Sequence, residues 1–222
     1  VLAGMGTGWR RVGFEGRMEA ARLLRFQAAL PDAEWVDVTP ETDRLRAVKS
    51  PAEQSRLRAA AEANDCLFAE LLRRVRPGMS EWAIRTLARQ EADRMGQGEA
   101  FDTIACAGRN AAEPHHTPDG TLLRRGQPLL IDLGVKLVHY CSDMTRCAVF
   151  GAPSRLFREL HAVVLEANRR AVRAIRPGRV CRDIDALARD TITRAGYGDF
   201  FGHGLGHGLG LEVHETPSLS PA

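Results

Sequence analysis

The spacing of apolar and polar residues predicts a strand, a helix and a second strand at the start of the chain. Residues 11–15 and 34–38 have the composition of short strands, and residues 18–30 carry apolar side chains at helical spacing. Pro31-Asp32 is expected to end the helix. About 40 residues bury too little surface to form a core of their own. The segment is therefore typical of the end of a larger N-terminal domain.

A strong helix start follows at residues 50–53, Ser-Pro-Ala-Glu. Serine at the cap, proline at the first helical position and glutamate three residues after the cap form a capping box. The helix is expected to run to about residue 75 and to end at 76–78, because proline and glycine both terminate helices.

The chain contains an internal repeat. Residues 75–78 (Val-Arg-Pro-Gly) recur as residues 175–178 (Ile-Arg-Pro-Gly), and each copy follows one amphipathic segment and opens another. Matches at the same offset are Ile84 with Ile184 and Leu87-Ala88-Arg89 with Leu187-Ala188-Arg189. We favour duplication over a chance match. Duplication predicts two similar α+β halves, with a site between them.

Two aspartates lie in apolar segments of the first half that are predicted as strands. With a two-residue turn at positions 137 and 138, the strands form an antiparallel hairpin in which Asp132 and Asp143 face each other, about 5 Å apart. Two carboxylates so placed repel each other unless a cation lies between them. The alternatives are a metal site, or an aspartate that faces solvent or pairs with Arg146.

Glycine alternates with other residues in the segment 202–215, which also contains His203, His207 and His214. So many glycines argue against a helix, and an extended strand would place His203 and His207 on one face. Glycine in a strand marks the close approach of another backbone or of a ligand. A single histidine in such a place is usually a satisfied core residue, whereas three in twelve residues indicate ligand or acid–base roles.

The other histidines give weaker signals. His115 and His116 follow Pro114 in a turn-rich stretch, where a histidine is usually just solvated. His139 and His161 are predicted to be surface residues.

Composition argues against several classes of protein. The formal net charge is only +3, and the basic residues alternate with acidic ones, so the clustered basic face of a nucleic-acid-binding protein is absent. No apolar run reaches the roughly 18 residues of a membrane span. The five cysteines form no CxxC pair, which is typical of buried free thiols in a reducing cytoplasm. We therefore expect a cytoplasmic protein that binds neither nucleic acid nor membranes.

Taken in order, these motifs resemble the metallopeptidases with the pita-bread fold. That group includes Xaa-Pro dipeptidase (prolidase), aminopeptidase P and methionine aminopeptidase, with creatinase as a metal-free relative. The resemblance rests on Pro114-His115, Ile131-Asp132-Leu133-Gly134, Ser142-Asp143-Met144-Thr145-Arg146, His203-Gly204-Leu205-Gly206-His207-Gly208 and His214-Glu215-Thr216-Pro217. The linker 45–51 and the segment before it resemble the prolidase, aminopeptidase P and creatinase branch.

The resemblance implies an α+β pita-bread fold, with two duplicated α+β halves around a curved antiparallel sheet. It assigns residues 1–48 to the C-terminal part of a creatinase-like N-terminal domain and residues 49–222 to the catalytic domain. The family has two glutamate ligands well downstream of its His-rich strand, and only 15 residues follow His207 here. We therefore expect the catalytic domain to lack its C-terminal end, and three of five metal ligands to be present.

Residue roles also follow from the resemblance. It implies two divalent ions (Mn, Co or Zn), with Asp132, Asp143 and His207 as metal ligands and Asp143 shared by both ions. His115 and His214 match histidines that contact the substrate and the developing tetrahedral intermediate, and His203 matches a residue that lines the site. With the glutamates absent, we expect this chain alone not to complete the metal coordination.

The expected activity is metal-dependent hydrolysis of the peptide bond between an N-terminal residue and proline, as in Xaa-Pro dipeptidase, by a homodimer. Residues 208–215 look most like bacterial prolidase sequences. The alternatives are an Xaa-Pro aminopeptidase (aminopeptidase P) acting on longer peptides and a non-catalytic pita-bread protein that binds a peptide or partner. The intact carboxylate pair disfavours creatine hydrolysis.

Overall fold

The computed structural model describes residues 9–221, which divide into one compact unit ending at Val48 and a second beginning at Lys49. In the first unit the elements are β1 (Arg11–Phe14), α1 (Ala20–Ala29), β2 (Glu34–Asp37) and α2 (Thr39–Ala47). Strands β1 and β2 pair in parallel, which confirms the predicted strand–helix–strand. Helix α2 was not predicted, because its polar sequence has no apolar periodicity.

The second unit alternates helices with short strands. Its elements are α3 (Pro51–Arg74), α4 (Glu81–Met95), β3 (Ile104–Ala107), β4 (Pro128–Leu133), β5 (Lys136–Leu137), β6 (Tyr140–Cys141), β7 (Met144–Val149), α5 (Arg155–Ala174), α6 (Cys181–Arg194), β8 (Gly206–Gly208) and β9 (Glu215–Leu219). The predicted capping box is confirmed at the start of α3, where the Ser50 hydroxyl accepts from the Glu53 N–H and the Glu53 carboxylate accepts from the Ser50 N–H.

The sequence repeat corresponds to two helix pairs, α3–α4 and α5–α6, joined by the same turn. In both copies proline is followed by a glycine with positive φ, 95° at Gly78 and 82° at Gly178. The N–H of the fourth turn residue donates to the carbonyl of the first, at 3.1 Å in one copy and 3.2 Å in the other. This is the geometry of a type II turn, which requires positive φ at its third position. The predicted duplication of the helix pair is confirmed.

The first helix pair packs on a three-stranded antiparallel sheet with the order β3–β4–β7. Apolar side chains of α3, α4 and the sheet form a buried cluster of Leu67, Leu71, Val75, Ile84, Leu87, Ala88, Ala92, Ala105, Ala107, Leu123, Leu129, Ile131, Leu133 and Val135. This core holds β4 and β7 in place. Asp132 lies in β4, and Asp143 directly precedes β7.

The predicted register of the aspartate hairpin is wrong. Leu137 pairs with Tyr140, so the turn consists of Val138 and His139 rather than positions 137 and 138. Both turn residues have positive φ, 48° and 69°, as a type I′ turn requires. Neither is glycine or asparagine, so the usual sequence signal for this turn is absent. Asp132 therefore lies opposite Thr145 instead of Asp143.

The predicted long glycine-rich strand is also wrong in extent. Only Gly206–Gly208 forms a strand, β8, which pairs with β9 through a register shift. The backbone on either side of β8 makes hydrogen bonds to groups outside the β8–β9 pair. Arg189 donates to the carbonyls of Phe201 and His203, and the N–H of Cys141 donates to the carbonyl of Gly210. Hydrogen bonds to a side chain and to the chain near β6 thus hold the backbone on either side of β8.

The remaining expectations concern the thiols and the surface histidines. All five cysteines are free, as predicted, but the predicted burial holds for Cys106 and Cys141 and is wrong for Cys66 and Cys147, which are exposed. His139 and His161 are exposed, as predicted. Among residues 9–221, no helix has the length and apolar character needed to cross a lipid bilayer.

Candidate functional site

A cavity of about 610 Å³ brings together all six residues that the sequence singled out. His115 comes from the loop after β3, and the carboxylates come from the β4–β7 region. The other three come from the glycine-rich segment and the turn before β9. The six residues are His115, Asp132, Asp143, His203, His207 and His214. Residues far apart in sequence, from both halves of the second unit, therefore face one space.

The two carboxylates are diagonal neighbours on one face of the sheet. Asp132 lies opposite Thr145, and Asp143 precedes Thr145 by two residues, so both aspartates lie on the same side. The Thr145 hydroxyl donates to Asp132 Oδ1 at 2.7 Å. This bond orients one Asp132 oxygen and leaves the other to face the cavity.

Asp143 is held in place by its neighbour Ser142, whose role the sequence analysis missed. The Ser142 hydroxyl accepts from the Val135 N–H at 2.8 Å and donates to the Val135 carbonyl at 3.1 Å. Gly134 lets the two segments approach this closely, because a Cβ there would lie 2.1 Å from the Ser142 carbonyl oxygen. The motif glycine before the turn therefore has a steric reason.

The two carboxylates give the cavity a negative electrostatic potential. Burial raises the pKa of Asp143, and the charge of Asp132 raises it further, while His207 and His214 partly offset the shift. Desolvation and like-charge repulsion both act against two ionised aspartates here. A cation between them would remove this cost, which makes the pair suitable for a divalent metal.

His207 presents a free nitrogen to these carboxylates. Its Nδ1 lies 2.9 Å from the carbonyl oxygen of Gly208, which can only accept, so Nδ1 carries the proton. The other nitrogen, Nε2, lies 3.5 Å from Asp143 Oδ2. A ring that donates one N–H to a backbone carbonyl and turns its second nitrogen to a cavity has the arrangement of a metal-ligating histidine.

His214 packs against His207, with ring centroids 4.2 Å apart and ring planes tilted by 43°. Its position depends on the next residue, Glu215, whose carboxylate pairs with Lys49 at 2.9 Å in a largely buried ion pair. Glu215 also accepts from the Glu212 N–H at 3.2 Å, across the turn that carries His214. The Lys49–Glu215 pair has no signal in the sequence, because nothing local connects residues 166 positions apart.

His203 lies on a segment that α6 holds through one ion pair. Arg189 and the buried Asp185 pair at 2.8 Å. Arg189 then donates to the carbonyl of His203, also at 2.8 Å, and Asp185 accepts from the Leu205 N–H at 3.0 Å. The backbone on both sides of His203 is thus fixed by these side chains, together with the bond from the Leu205 N–H to the Leu219 carbonyl of β9 at 2.8 Å.

The tightest cluster of ligand-type atoms lies elsewhere. In the part of the chain that the structure describes, Glu81, His116 and Asp119 bring their ligand atoms within 4.8 Å of one another. However, both Glu81 oxygens already accept hydrogen bonds from N–H groups, so no cation is needed to balance them. The carboxylates in the cavity and His207 Nε2 are the better candidates for metal ligands.

Comparisons with known proteins agree with these features. The model of Metallopeptidase family M24 matches residues 55–222, and the Creatinase/Prolidase N-terminal domain matches residues 1–48. The uncharacterized peptidase YqhT of Bacillus subtilis is 38% identical over 219 residues, which cover 96% of this chain and 61% of that protein. An uncharacterized peptidase of Staphylococcus aureus (strain USA300) is 42% identical over 185 residues, 83% of this chain and 53% of the relative. The chain thus spans a little over half the length of these relatives.

Solved structures show the same fold. The X-Pro aminopeptidase of Thermotoga maritima superposes with a TM-score of 0.89 at 36% identity, over 96% of this chain and 61% of that one. The prolidase of Pyrococcus furiosus gives 0.88 at 33% identity, over 96% and 63%. The Xaa-Pro dipeptidase of Bacillus anthracis gives 0.90 at 35%, over 96% and 60%. The chain has the α+β pita-bread fold of these proteins, and it belongs to metallopeptidase family M24.

Proposed function

We propose that this chain carries the substrate-facing part of a dinuclear metallopeptidase that cleaves Xaa-Pro dipeptides. The observation that supports this most strongly is the meeting of two carboxylates and a correctly oriented imidazole, Asp132, Asp143 and His207, in one cavity. The family match supplies the reaction class, and the cavity supplies side chains that suit it.

Asp132, Asp143 and His207 would hold two divalent ions, with Asp143 shared between them. Oxygen-rich ligation with a single imidazole suits Mn, Co or Zn. Bound ions of this kind polarise a peptide carbonyl, and they lower the pKa of a bound water molecule to near neutrality. The donor set fits such a group, because the aspartates lie on one face and His207 turns its Nε2 toward Asp143.

The remaining histidines act on the substrate. His115 and His214 face the same cavity and can donate hydrogen bonds to the carbonyl oxygen as negative charge develops on it. His203 has its Nδ1 bonded to the Gly204 carbonyl at 2.7 Å, so its Nε2 is available to a bound peptide. The apolar part of the lining is formed by Phe101, Ile104, Leu130, Leu205 and Val213. These side chains exclude water and strengthen the polar interactions within.

Preference for proline rests on the relatives rather than on the cavity. An Xaa-Pro bond has no N–H on its proline side and a fixed φ, so the peptidases that cleave it form a distinct group. Two of the three structures above carry the names prolidase and Xaa-Pro dipeptidase, which favours the dipeptidase. The X-Pro aminopeptidase of Thermotoga maritima is as similar, and action on longer peptides is the alternative.

We also propose that the protein is a cytoplasmic homodimer. Five free thiols suit a reducing compartment, whereas the dimer follows only from the family resemblance. A non-catalytic peptide-binding role is the alternative from another class, and the retention of the two aspartates and His207 argues against it.

A substrate panel tests the proposal. The full-length protein is loaded separately with Mn, Co and Zn and assayed on Xaa-Pro dipeptides, Xaa-Pro tripeptides and matched Xaa-Ala dipeptides. We expect kcat/KM for Xaa-Pro dipeptides to exceed that for tripeptides by about 10-fold or more, as for a site that closes on the free carboxylate. Faster cleavage of tripeptides would instead indicate the aminopeptidase. Metal and peptide binding without hydrolysis would identify a non-catalytic protein.

A further inference from the structure

We propose that Glu81 and His116 are positioning residues that hold His115 at the cavity, although neither side chain lines it. The inference rests on the proposed function, because it gives His115 a part in turnover. It adds two residues outside the cavity that determine where His115 lies.

Glu81 is the centre of a buried network. It is the first residue of α4 and is completely inaccessible to solvent. Its Oε1 accepts from the Ala107 N–H at 2.6 Å and from Asn110 Nδ2 at 3.0 Å. Its Oε2 accepts from His116 Nε2 at 2.8 Å and from the Asp119 N–H at 3.0 Å. One carboxylate therefore contacts the chain at four points on both sides of His115.

His116 holds the middle of this loop. The segment 114–118 begins and ends with proline, which has no N–H to donate. Within residues 9–221, the hydrogen bond from His116 to Glu81 is the one that joins this segment to an element outside the loop. The side chain of His116 is only 10% exposed. The peptide that carries His115 is thus fixed through its direct neighbour.

The ends of the loop do not depend on His116. The loop leaves β3 at Ala107, within the sheet. Its other end pairs with the start of α4, where the N–H of Trp82 donates to the Asp119 carbonyl at 3.1 Å and the N–H of Glu81 donates to the Thr121 carbonyl at 3.0 Å. Loss of His116 should therefore release the middle of the loop and leave the fold in place.

Glu81 and His116 stabilise each other's charged forms. A buried carboxylate is costly unless it is hydrogen-bonded, and the N-terminus of a helix stabilises negative charge. The hydrogen bond to Glu81 raises the pKa of His116 above its usual value. The ring therefore keeps its positive charge beside the carboxylate over a wider pH range. A displacement of about 1 Å of a group that acts in the transition state can lower a rate by on the order of 10²-fold.

A double-mutant cycle tests the inference in the full-length, metal-loaded protein. We expect His116→Ala to lower kcat on an Xaa-Pro dipeptide by about 10-fold, with KM and metal content little changed. His116→Gln, whose amide can still donate to Glu81, should stay within about twofold of the unaltered protein. In a His115→Ala background, His116→Ala should add less than about twofold, because its effect passes through His115. Equal losses in both backgrounds would overturn the inference.

Hydrogen exchange provides a readout that does not depend on turnover. In metal-free and metal-loaded protein, His116→Ala should speed amide exchange in peptides covering residues 108–119, and His116→Gln should not. Unchanged exchange in His116→Ala would overturn the inference whatever happens to kcat. If the unaltered protein cleaves Xaa-Pro bonds and His115→Ala does so equally well, this inference fails while the peptidase proposal stands. If no substrate is cleaved, the proposed function fails and the exchange result alone decides whether His116 holds the loop.

Discussion

The two halves of the second unit share a helix pair but differ in what the helices pack against. In the first half, α3 and α4 cover a three-stranded sheet and bury fourteen apolar residues. In the second half, among the described residues, α5 and α6 bury four, Ala167, Ala171, Ile184 and Ala188. Three of these four are alanines, so the core that this chain forms around the second helix pair is thinner. The difference holds for the residues of this chain, which spans a little over half the length of its relatives.

The two halves also supply different side chains to the site. The first half supplies the carboxylates from a hydrogen-bonded sheet, whereas the second supplies His203, His207 and His214 from a segment with only three residues of strand. That segment is held by individual side chains, chiefly the Asp185–Arg189 pair. The duplicated pattern therefore encodes the scaffold, and the residues that differ between the copies form the site.

Among variants that keep their metal, the largest expected effect concerns the histidine side of this comparison. We expect His214→Ala to lower kcat by about 10²-fold or more, as for loss of a donor to a developing oxyanion, and to leave the metal content intact. Steady-state kinetics and elemental analysis of the full-length protein check this. His139→Ala, in the exposed β5–β6 turn, is the matched control. Loss of metal in His214→Ala would place His214 among the ligands instead.

The cores can be compared at equivalent positions of the repeat. Ile84 and Ile184 are both buried, but Ile84 lies in the larger cluster. We expect Ile84→Ala to lower the free energy of unfolding by about 3 to 5 kcal/mol and Ile184→Ala by about 2 kcal/mol, because a thinner core can relax around the missing atoms. Urea denaturation of the two variants, made in the 222-residue chain, measures the difference. Equal costs would mean that the second core is as tightly packed as the first.

The smallest expected effect is a pH dependence that belongs to the first half alone. The pKa of His116 is raised in the folded protein, so the folded state binds its proton more tightly than the unfolded chain does. This stabilisation is fully present below the unfolded pKa of about 6.5 and is lost as the pH rises through the higher folded pKa. The free energy of unfolding should therefore fall above pH 6.5, and less steeply in His116→Gln. His161→Gln, on the exposed face of α5, should keep the original slope.

Local signals in the sequence predicted the scaffold well and the contacts of the site only in part. The capping box at Ser50 and the turns after Pro77 and Pro177 depend on neighbouring residues, so they can be read directly. The prediction of the hairpin register failed because Val138 and His139 adopt positive φ, although neither is glycine or asparagine.

The remaining contacts have no local signal. Lys49 reaches Glu215 across 166 positions, and Glu81 reaches His116 across 35. Such pairs depend on tertiary packing, which periodicity and turn residues do not encode. The contact of Arg189 with the carbonyl of His203, in the segment wrongly predicted as a long strand, likewise has no local signal.

Metal analysis of Asp143→Asn tests the central claim, that carboxylates of the first half and an imidazole of the second share one metal site. The full-length protein, dialysed after loading with Mn, should retain two ions per chain. Asp143→Asn should lose tight binding of the second ion and all measurable turnover, because a neutral amide cannot replace a carboxylate shared by two cations. Asp119→Asn, in the Glu81 cluster, is the matched control and should retain both ions. Two bound ions with normal turnover in Asp143→Asn, or loss of metal in Asp119→Asn alone, would contradict the account.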